Sequence, residues 1–438
     1  MNLSSQQRLT VALLVLAAGV FTVRGPMRAY RYRNAWVDFA VPYVEARCWL
    51  QGLNPYDRNA HLAEWQRTGG YGLDALGGPG AAATPYFPAV LPLLAPLALL
   101  PWTAARVLWM AVSCALILLL AACASTLRGS TGRSQTLLIL ALVLLAPASH
   151  TLLWTGNLTL VSVVCCLAGY HWSEQRNRPL LAGIMVALCT AATPQIGAWV
   201  LLFYLLSRNW KLLASALATV GVLTAAFWVW LLAHGASWVR PYLAMSHHYL
   251  GPGLATDFTA ANSRRFNLLN VQVILGTLFD DRDLANLLGL VLVMALLAIW
   301  GLCFAKARTQ EERLLAFGTL LTLSILPVYH RIYDTILLLI PAVWTLSRFA
   351  PPWRPLVGAL RILLALFLVP TGSALVAAVA ANRIPPSIAE AWWWNSFIMP
   401  HQNWLLLAIS IGLLLALRKL TLPRALPTPA NMTGRGPS

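Results

Sequence analysis

Apolar residues in this chain come in long runs, and the breaks between the runs alternate in kind: clusters of Lys and Arg at some, Pro, Gly, Asn and Gln at others. About 20 apolar residues in a helix rise far enough, at roughly 1.5 Å each, to cross about 30 Å of hydrocarbon. The basic clusters are Arg8, Arg128 with Arg133, Arg176 with Arg178, Arg208 with Lys211, Lys306 with Arg308 and Arg313, Arg348 with Arg354, and Arg418 with Lys419. Placed together on the cytoplasmic side, as the bias of Lys and Arg dictates, they require every apolar stretch between two clusters to go out and return. The pattern therefore predicts an all-α polytopic membrane protein of about twelve transmembrane helices with both termini cytoplasmic. The helices fall near 8–23, 104–127, 135–154, 157–172, 180–193, 195–208, 211–233, 284–305, 313–328, 333–349, 355–380 and 403–418.

The pair 180–193 and 195–208 is short for full spans, and a hairpin that meets a cavity part-way through the bilayer fits it better. Three outer segments are long: 24–103, 234–283 and 381–402. In the first, Trp36 to Leu50 reads as an amphipathic helix, Leu53 to Tyr56 breaks it, and Gly69 to Pro85 is a Gly/Ala-rich loop. Tyr86 to Leu100 is apolar but interrupted by Pro88, Pro92, Pro96 and Pro101, which fits an interfacial or re-entrant segment and not a crossing. One membrane domain thus covers 1–420, and 421–438 is a polar cytoplasmic tail expected to be disordered.

Composition agrees, with 59% hydrophobic and 10% charged residues and a mean hydropathy of +0.67 over 438 residues, values no soluble domain shows. The net charge of +17 would suggest nucleic acid in a soluble protein. Here the cations end apolar runs and meet headgroups, so the expected partner is the bilayer of the cell membrane and not a nucleic acid. The run Val11 to Val23 lacks a small-residue cleavage site and is followed by Arg24, Arg28, Arg31 and Arg33, which suits an uncleaved signal anchor. The seven cysteines show no CxxC pair or His-linked spacing and read as small buried hydrophobes.

Threaded this way, the unusual polar residues gather on the outer side: Asp38 and Glu45, Gly156-Asn157, Thr193-Pro194-Gln195, Asn262-Ser263-Arg264-Arg265, and Tyr329-His330-Arg331-Ile332-Tyr333-Asp334. Ionisable groups at helix ends beside a membrane cavity are functional candidates, since lipid exposure costs them several kcal/mol. Read alone, Asp38 fits a catalytic carboxylate and a structural cap or partner of Arg33 equally, and His330 with Arg331 fits an interfacial anchor pair. Glu45 shares a helix face with Asp38 and reads as a partner of Arg47 or Arg24. The run Asp280-Asp281-Arg282-Asp283 has no calcium-loop spacing, and Asp283 is placed to cap the helix that begins at Leu284. His247-His248 lacks a third ligand, so no metal site is assigned, although a divalent metal is not excluded. Trp392-Trp393-Trp394 with Trp404 reads as an outer aromatic belt.

The stretch Asp38-Phe39, Tyr43, Ala46, Gly52, Asn54-Pro55-Tyr56, then Tyr86-Phe87-Pro88 and Pro96-Leu97, resembles the first outer loop of family 87 glycosyltransferases. The resemblance continues through Gly156-Asn157, the Ala182-Gly183 helix that ends at Pro194, and His330, spanning roughly residues 35–345. It implies a GT-C-type membrane enzyme that takes mannose or a related sugar from a polyprenyl phosphate, without a cofactor, and passes it to a lipid-linked or cell-envelope glycan acceptor outside the cytoplasm. Two departures stand out: the family usually has Gly-Gln where this chain has Gly156-Asn157, and Lys where it has Thr193. The resemblance makes Asp38 the base that takes the acceptor hydroxyl's proton in an inverting transfer; with phosphate as leaving group no general acid is needed. It gives His330, Arg331, Arg264, Arg265, Asn157 and Gln195 to the donor phosphate or sugar, and Tyr43, Glu45, Asn54 and Tyr56 to positioning of acceptor or loop. A flippase of lipid-linked sugars is the competing class, but it predicts inverted repeats and mid-membrane charges that the sequence lacks. A non-catalytic envelope assembly protein is the third reading, left open by Thr193.

Overall fold

A computed structural model describes residues 5–32, 35–68, 85–127, 132–348, 353–367 and 372–422. The loop 69–84 and the tail 423–438 lie outside the described residues, as does the linker 368–371. Among the described residues the chain is helical; its one strand-like contact is a bridge between Leu269 and His330, whose backbone N–H···O distances are 2.8 and 3.2 Å.

Among the described residues five helices are long and apolar enough to cross a membrane: Gln7–Arg31, Trp102–Thr126, Trp210–Ala233, Arg282–Phe304 and His401–Thr421. A sixth expected span, 135–154, is a pair, Arg133–Leu145 and Pro147–Thr155, bent by 58°. The residue before a proline is pushed out of the helical region, and Ala146 accordingly sits at φ −60°, ψ 125°. The Nε2 of buried His150 lies 2.7 Å from the carbonyl of Leu144, one of the groups the break would otherwise orphan.

The other six expected spans are shorter or broken. The first three are Thr159–Tyr170, Pro179–Ala192 and Pro194–Leu206, followed along the chain by Gln310–Leu323. Next comes a 3₁₀ turn, Ile332–Leu338, running into Leu339–Ser347; the last appears as Arg354–Leu366 and Gly372–Ala380. The α-helix Thr159–Tyr170 by itself rises only about 18 Å, less than the hydrocarbon thickness, and is prolonged by a π-helical turn, His171–Gln175. It nevertheless lies in the core, with ten of its twelve residues buried. Where neighbouring helices cover an element, it need not satisfy a full span by itself.

Among the described residues, the basic turns near Arg176, Arg208, Arg313, Arg348 and Lys419 are joined by contacts. Arg313 pairs with Glu174 at 2.6 Å and donates to the hydroxyl of Ser207 at 3.1 Å, while Asn209 donates to Ser173 at 3.1 Å. Arg348 pairs with Glu311, and Lys419 lies 4.9 Å from the centre of the Trp353 ring. The helices Thr159–Tyr170, Pro179–Ala192 and Pro194–Leu206 run between this end and the residues discussed below.

The first-loop helix is Val37–Leu50, as expected, but ten of its fourteen residues are buried. Phe39 stacks on Trp109 with ring centres 5.0 Å apart, and Tyr43 and Trp65 pack on Trp102 at 5.1 and 5.2 Å. Trp36, just before the helix, has φ 72°, a left-handed conformation costly for a bulky side chain. Its N–H donates to the carbonyl of Trp154 at 2.9 Å, which fixes the direction in which the helix leaves. The Pro-rich stretch forms a 3₁₀ turn, Pro88–Val90, and a short helix, Leu91–Ala98, too short together to cross unaided. Asp281, not Asp283, caps the helix Arg282–Phe304, accepting the N–H groups of Asp283 and Leu284. Trp392 and Trp393 are exposed, in keeping with an aromatic belt.

Candidate active site

Asp38 sits in the first turn of Val37–Leu50, at the wall of a cavity of about 530 Å³. The turn between Pro147–Thr155 and Thr159–Tyr170 comes up against it. Gly156 ends the first of these helices at φ 71°, and a Cβ there would stand 2.7 Å from that of Phe39. Only glycine fits so close a left-handed turn. Asn157 follows: its carbonyl oxygen accepts the N–H of Thr159 at 2.8 Å, and its NH₂ donates to Asp38 Oδ2 at 3.0 Å. Enclosure by the cavity wall raises the Asp38 carboxyl above its ordinary value. The Asn157 hydrogen bond, the Arg331 charge and Thr155 pull it back, and Asp334 adds to the rise.

Gln195 reaches the same cavity as the second residue of Pro194–Leu206, and Thr193 and Pro194 line it beside Gln195, so the short hairpin does meet a cavity at its break. At the position where the resemblance leads one to expect Lys, the Thr193 hydroxyl lies 2.7 Å from that of Ser162 and brings no charge. The cations at the wall are Arg264 and Arg331. Arg264 is exposed and forms no ion pair among the described residues. The guanidinium of Arg331 donates to the carbonyl of Ala255 at 3.3 Å.

Arg265 is placed differently: it does not line the cavity, and its guanidinium lies 4.9 Å from the centre of the Phe266 ring. Nor does His330 line it. The imidazole is buried, its Nδ1 lies 3.0 Å from Asp334 Oδ2, and its Nε2 has no partner among the described groups. Asp334 also accepts the backbone N–H of Arg331 at 3.0 Å and the hydroxyl of Thr159 at 2.9 Å. It therefore braces the His330-Arg331 corner instead of balancing the Arg331 charge.

The four loop residues stand behind the wall. Tyr43 donates to the carbonyl of Leu100 at 2.8 Å; Asn54 donates to that of Ser237 at 2.7 Å; Tyr56 donates to that of Tyr86 at 2.9 Å. Glu45 does not pair with Arg47, whose Nε donates to Glu64 at 2.6 Å. The sequence reading missed two tyrosines of the wall, Tyr242 and Tyr249, which join Tyr86, Tyr329 and Tyr333 there. Their one signal was that each lies in an outer segment, which an interfacial belt shares. Among the described residues no three His, Cys, Asp or Glu side chains gather as a metal-ligand set.

The family model for glycosyltransferase family 87 matches residues 84–328, more than half of the chain. The match contains Tyr86, Asn157, Thr193, Gln195, Arg264 and Arg265, while Asp38, His330 and Arg331 flank it. No curated protein and no solved structure matches. An all-helical chain with membrane-length helices, the ordered motifs of the outer segments and this match agree: the chain belongs to glycosyltransferase family 87.

Proposed function

We propose that this membrane glycosyltransferase moves a sugar, mannose first and arabinose or glucose next, from a polyprenyl phosphate to a lipid-linked or cell-envelope glycan with inversion. In this reading both termini are cytoplasmic, the chain crosses the membrane about twelve times, and the site faces out of the cytoplasm. The observation that carries it is the carboxylate of Asp38, held by Asn157 at 3.0 Å in a cavity whose wall also bears Arg264 and Arg331.

The acceptor oxygen attacks the anomeric carbon, its proton passes to the Asp38 carboxylate, and the bond from that carbon to the phosphate oxygen breaks. A carboxyl raised from its ordinary value is a stronger base, and one base of this kind contributes typically 10² to 10⁴ in rate. The departing polyprenyl phosphate carries the developing charge, to which the fork of Arg331 and the cation of Arg264 are matched. Gln195 and the tyrosines offer hydrogen bonds and ring faces to the sugars. An apolar groove of about 230 Å³ lies along Ile332, Ile336, Leu339 and Phe367, beside the turn that follows Arg331, and supports a donor with a hydrocarbon tail.

Purified protein incubated with radiolabelled polyprenyl-phosphate mannose and a lipid extract from its host tests the proposal. Label in a new glycolipid is the expected result. If label stays on the donor with every polyprenyl-phosphate sugar tried, the reading is wrong.

A further inference from the structure

Glu45 lies two helical turns beyond Asp38 on the same face of Val37–Leu50 and is fully buried. Its Oε1 is 3.5 Å from the backbone N–H of Tyr86, and its Oε2 has no hydrogen-bond partner among the described groups. The cation two residues on, Arg47, is committed to Glu64, which also holds Arg67. The titratable groups around Glu45 are Tyr56, Tyr86 and Tyr242 from neighbouring elements and Cys48 from its own helix, all uncharged at neutral pH. An ionised carboxylate there would be a buried charge without a counter-ion among the described residues, a state that costs several kcal/mol. An N–H bond to an ionised acceptor also contracts to about 2.7–2.9 Å, which the 3.5 Å contact does not do. Burial pushes this carboxyl well above the usual range.

Tyr86 is held by two hydrogen bonds, with Glu45 set against its N–H. Tyr56 donates to its carbonyl at 2.9 Å, and its own hydroxyl donates to the main-chain carbonyl of Asp38 at 2.9 Å. We infer that Glu45 is carried as a neutral carboxylic acid and is a positioning residue for sugar transfer: with Tyr56 it fixes Tyr86, whose hydroxyl holds the main chain of Asp38. The kinetic half of this inference rests on Asp38 being the base; the protonation of Glu45 does not.

Two measurements on the full-length protein in detergent test the two halves. The infrared difference spectrum of wild type minus Glu45→Gln should show a protonated carboxyl C=O band at pH 7 that persists at pH 8.5. Its absence at pH 7 overturns the inference, whatever the protein catalyses. In transfer assays Glu45→Ala should lower kcat at least about tenfold, within what a misplacement of about 1 Å costs, with donor KM within about threefold. Glu45→Gln, which keeps the shape and the neutrality, should restore kcat to within about threefold of wild type. Tyr86→Phe should lower kcat by itself yet add less than about twofold to Glu45→Ala, since the two act through one contact. A Gln variant as damaged as the Ala variant, or full additivity with Tyr86→Phe, overturns the positioning role. If Glu45→Ala does not fold, Glu45→Gln and the infrared band still decide: a Gln variant with less than about a tenth of wild-type kcat contradicts the neutral acid. Loss of transfer in the wild type would count against the proposed reaction and leave the infrared result standing.

Discussion

The side-chain NH₂ of Asn157 lies 3.0 Å from Asp38 Oδ2, joining residues 119 positions apart at the wall of one cavity. The oxygen of the same amide accepts the N–H of Thr159, the first residue of the helix Thr159–Tyr170, so its orientation is set from behind and its donor is aimed at the carboxylate. This bond lowers the Asp38 carboxyl, against the rise caused by burial.

Asn157→Ala should therefore raise the Asp38 pKa. The base works only when ionised, so the acid limb of the kcat profile should move to higher pH, by about one to two units for a charge-assisted bond worth roughly 1.5–3 kcal/mol. A pH–rate series on both proteins checks the direction; an acid limb that stays in place or moves down would separate Asn157 from the base.

Arg331→Ala should behave differently, because a phosphate is charged before the reaction as well as during it. Donor KM should rise and kcat should fall together, with kcat/KM down by roughly 10²-fold or more. Arg331→Lys should recover only part, since the planar fork is lost. Steady-state kinetics with varied donor separates the two effects.

His61 supplies a pH dependence outside the membrane-length helices. It is fully buried on the helix Arg58–Arg67, neither ring nitrogen has a partner among the described residues, and burial pushes its pKa down to about 4. Because the folded value is below the unfolded one of about 6.5, the unfolded chain binds the proton first. Stability should be full above about pH 6.5 and fall as pH drops toward 4, by at most about 3 kcal/mol from this group. His61→Leu should flatten that part of the Tm-versus-pH curve measured in detergent between pH 7.5 and 4.5.

Much of the site was legible from the sequence because polar residues are scarce in so apolar a chain. Asp38, Asn157, Gln195, Arg264 and Arg331 stand out at helix ends, and all five line one cavity. What failed was what local spacing cannot carry. Glu45 and Arg47 are two apart and so face different sides of a helix, and the partner of Arg47 is Glu64, from a helix that folds back on it. His330 reads as a donor toward the cavity, but Asp334, one turn on, takes its Nδ1. The count of about twelve spans is a different case: it rests on charge alternation, which registers turns and not lengths, and the described residues hold five helices of membrane length and one bent pair, with Gln310–Leu323 looking in sequence like the full-length helices beside it. The wall tyrosines carry no pattern that distinguishes a cavity from a membrane interface.

The topology prediction is tested by single-cysteine labelling in a background without native cysteines. Positions 38, 157 and 264 should react from outside the cytoplasm, and 176, 211 and 418 only from within. Labelling of 38 from the cytoplasmic side alone would remove the outward-facing site.

The most direct test of the central claim is the turnover of Asp38→Asn. Asn keeps the shape and an oxygen for Asn157 but cannot accept a proton, so it removes what the transition state needs and little that the bound donor needs. The account predicts a fall in kcat of at least about 10²-fold, roughly 3 kcal/mol of barrier, with donor affinity within about threefold of wild type. A variant that keeps more than about a tenth of wild-type turnover would fall short of even weak base catalysis and would contradict it.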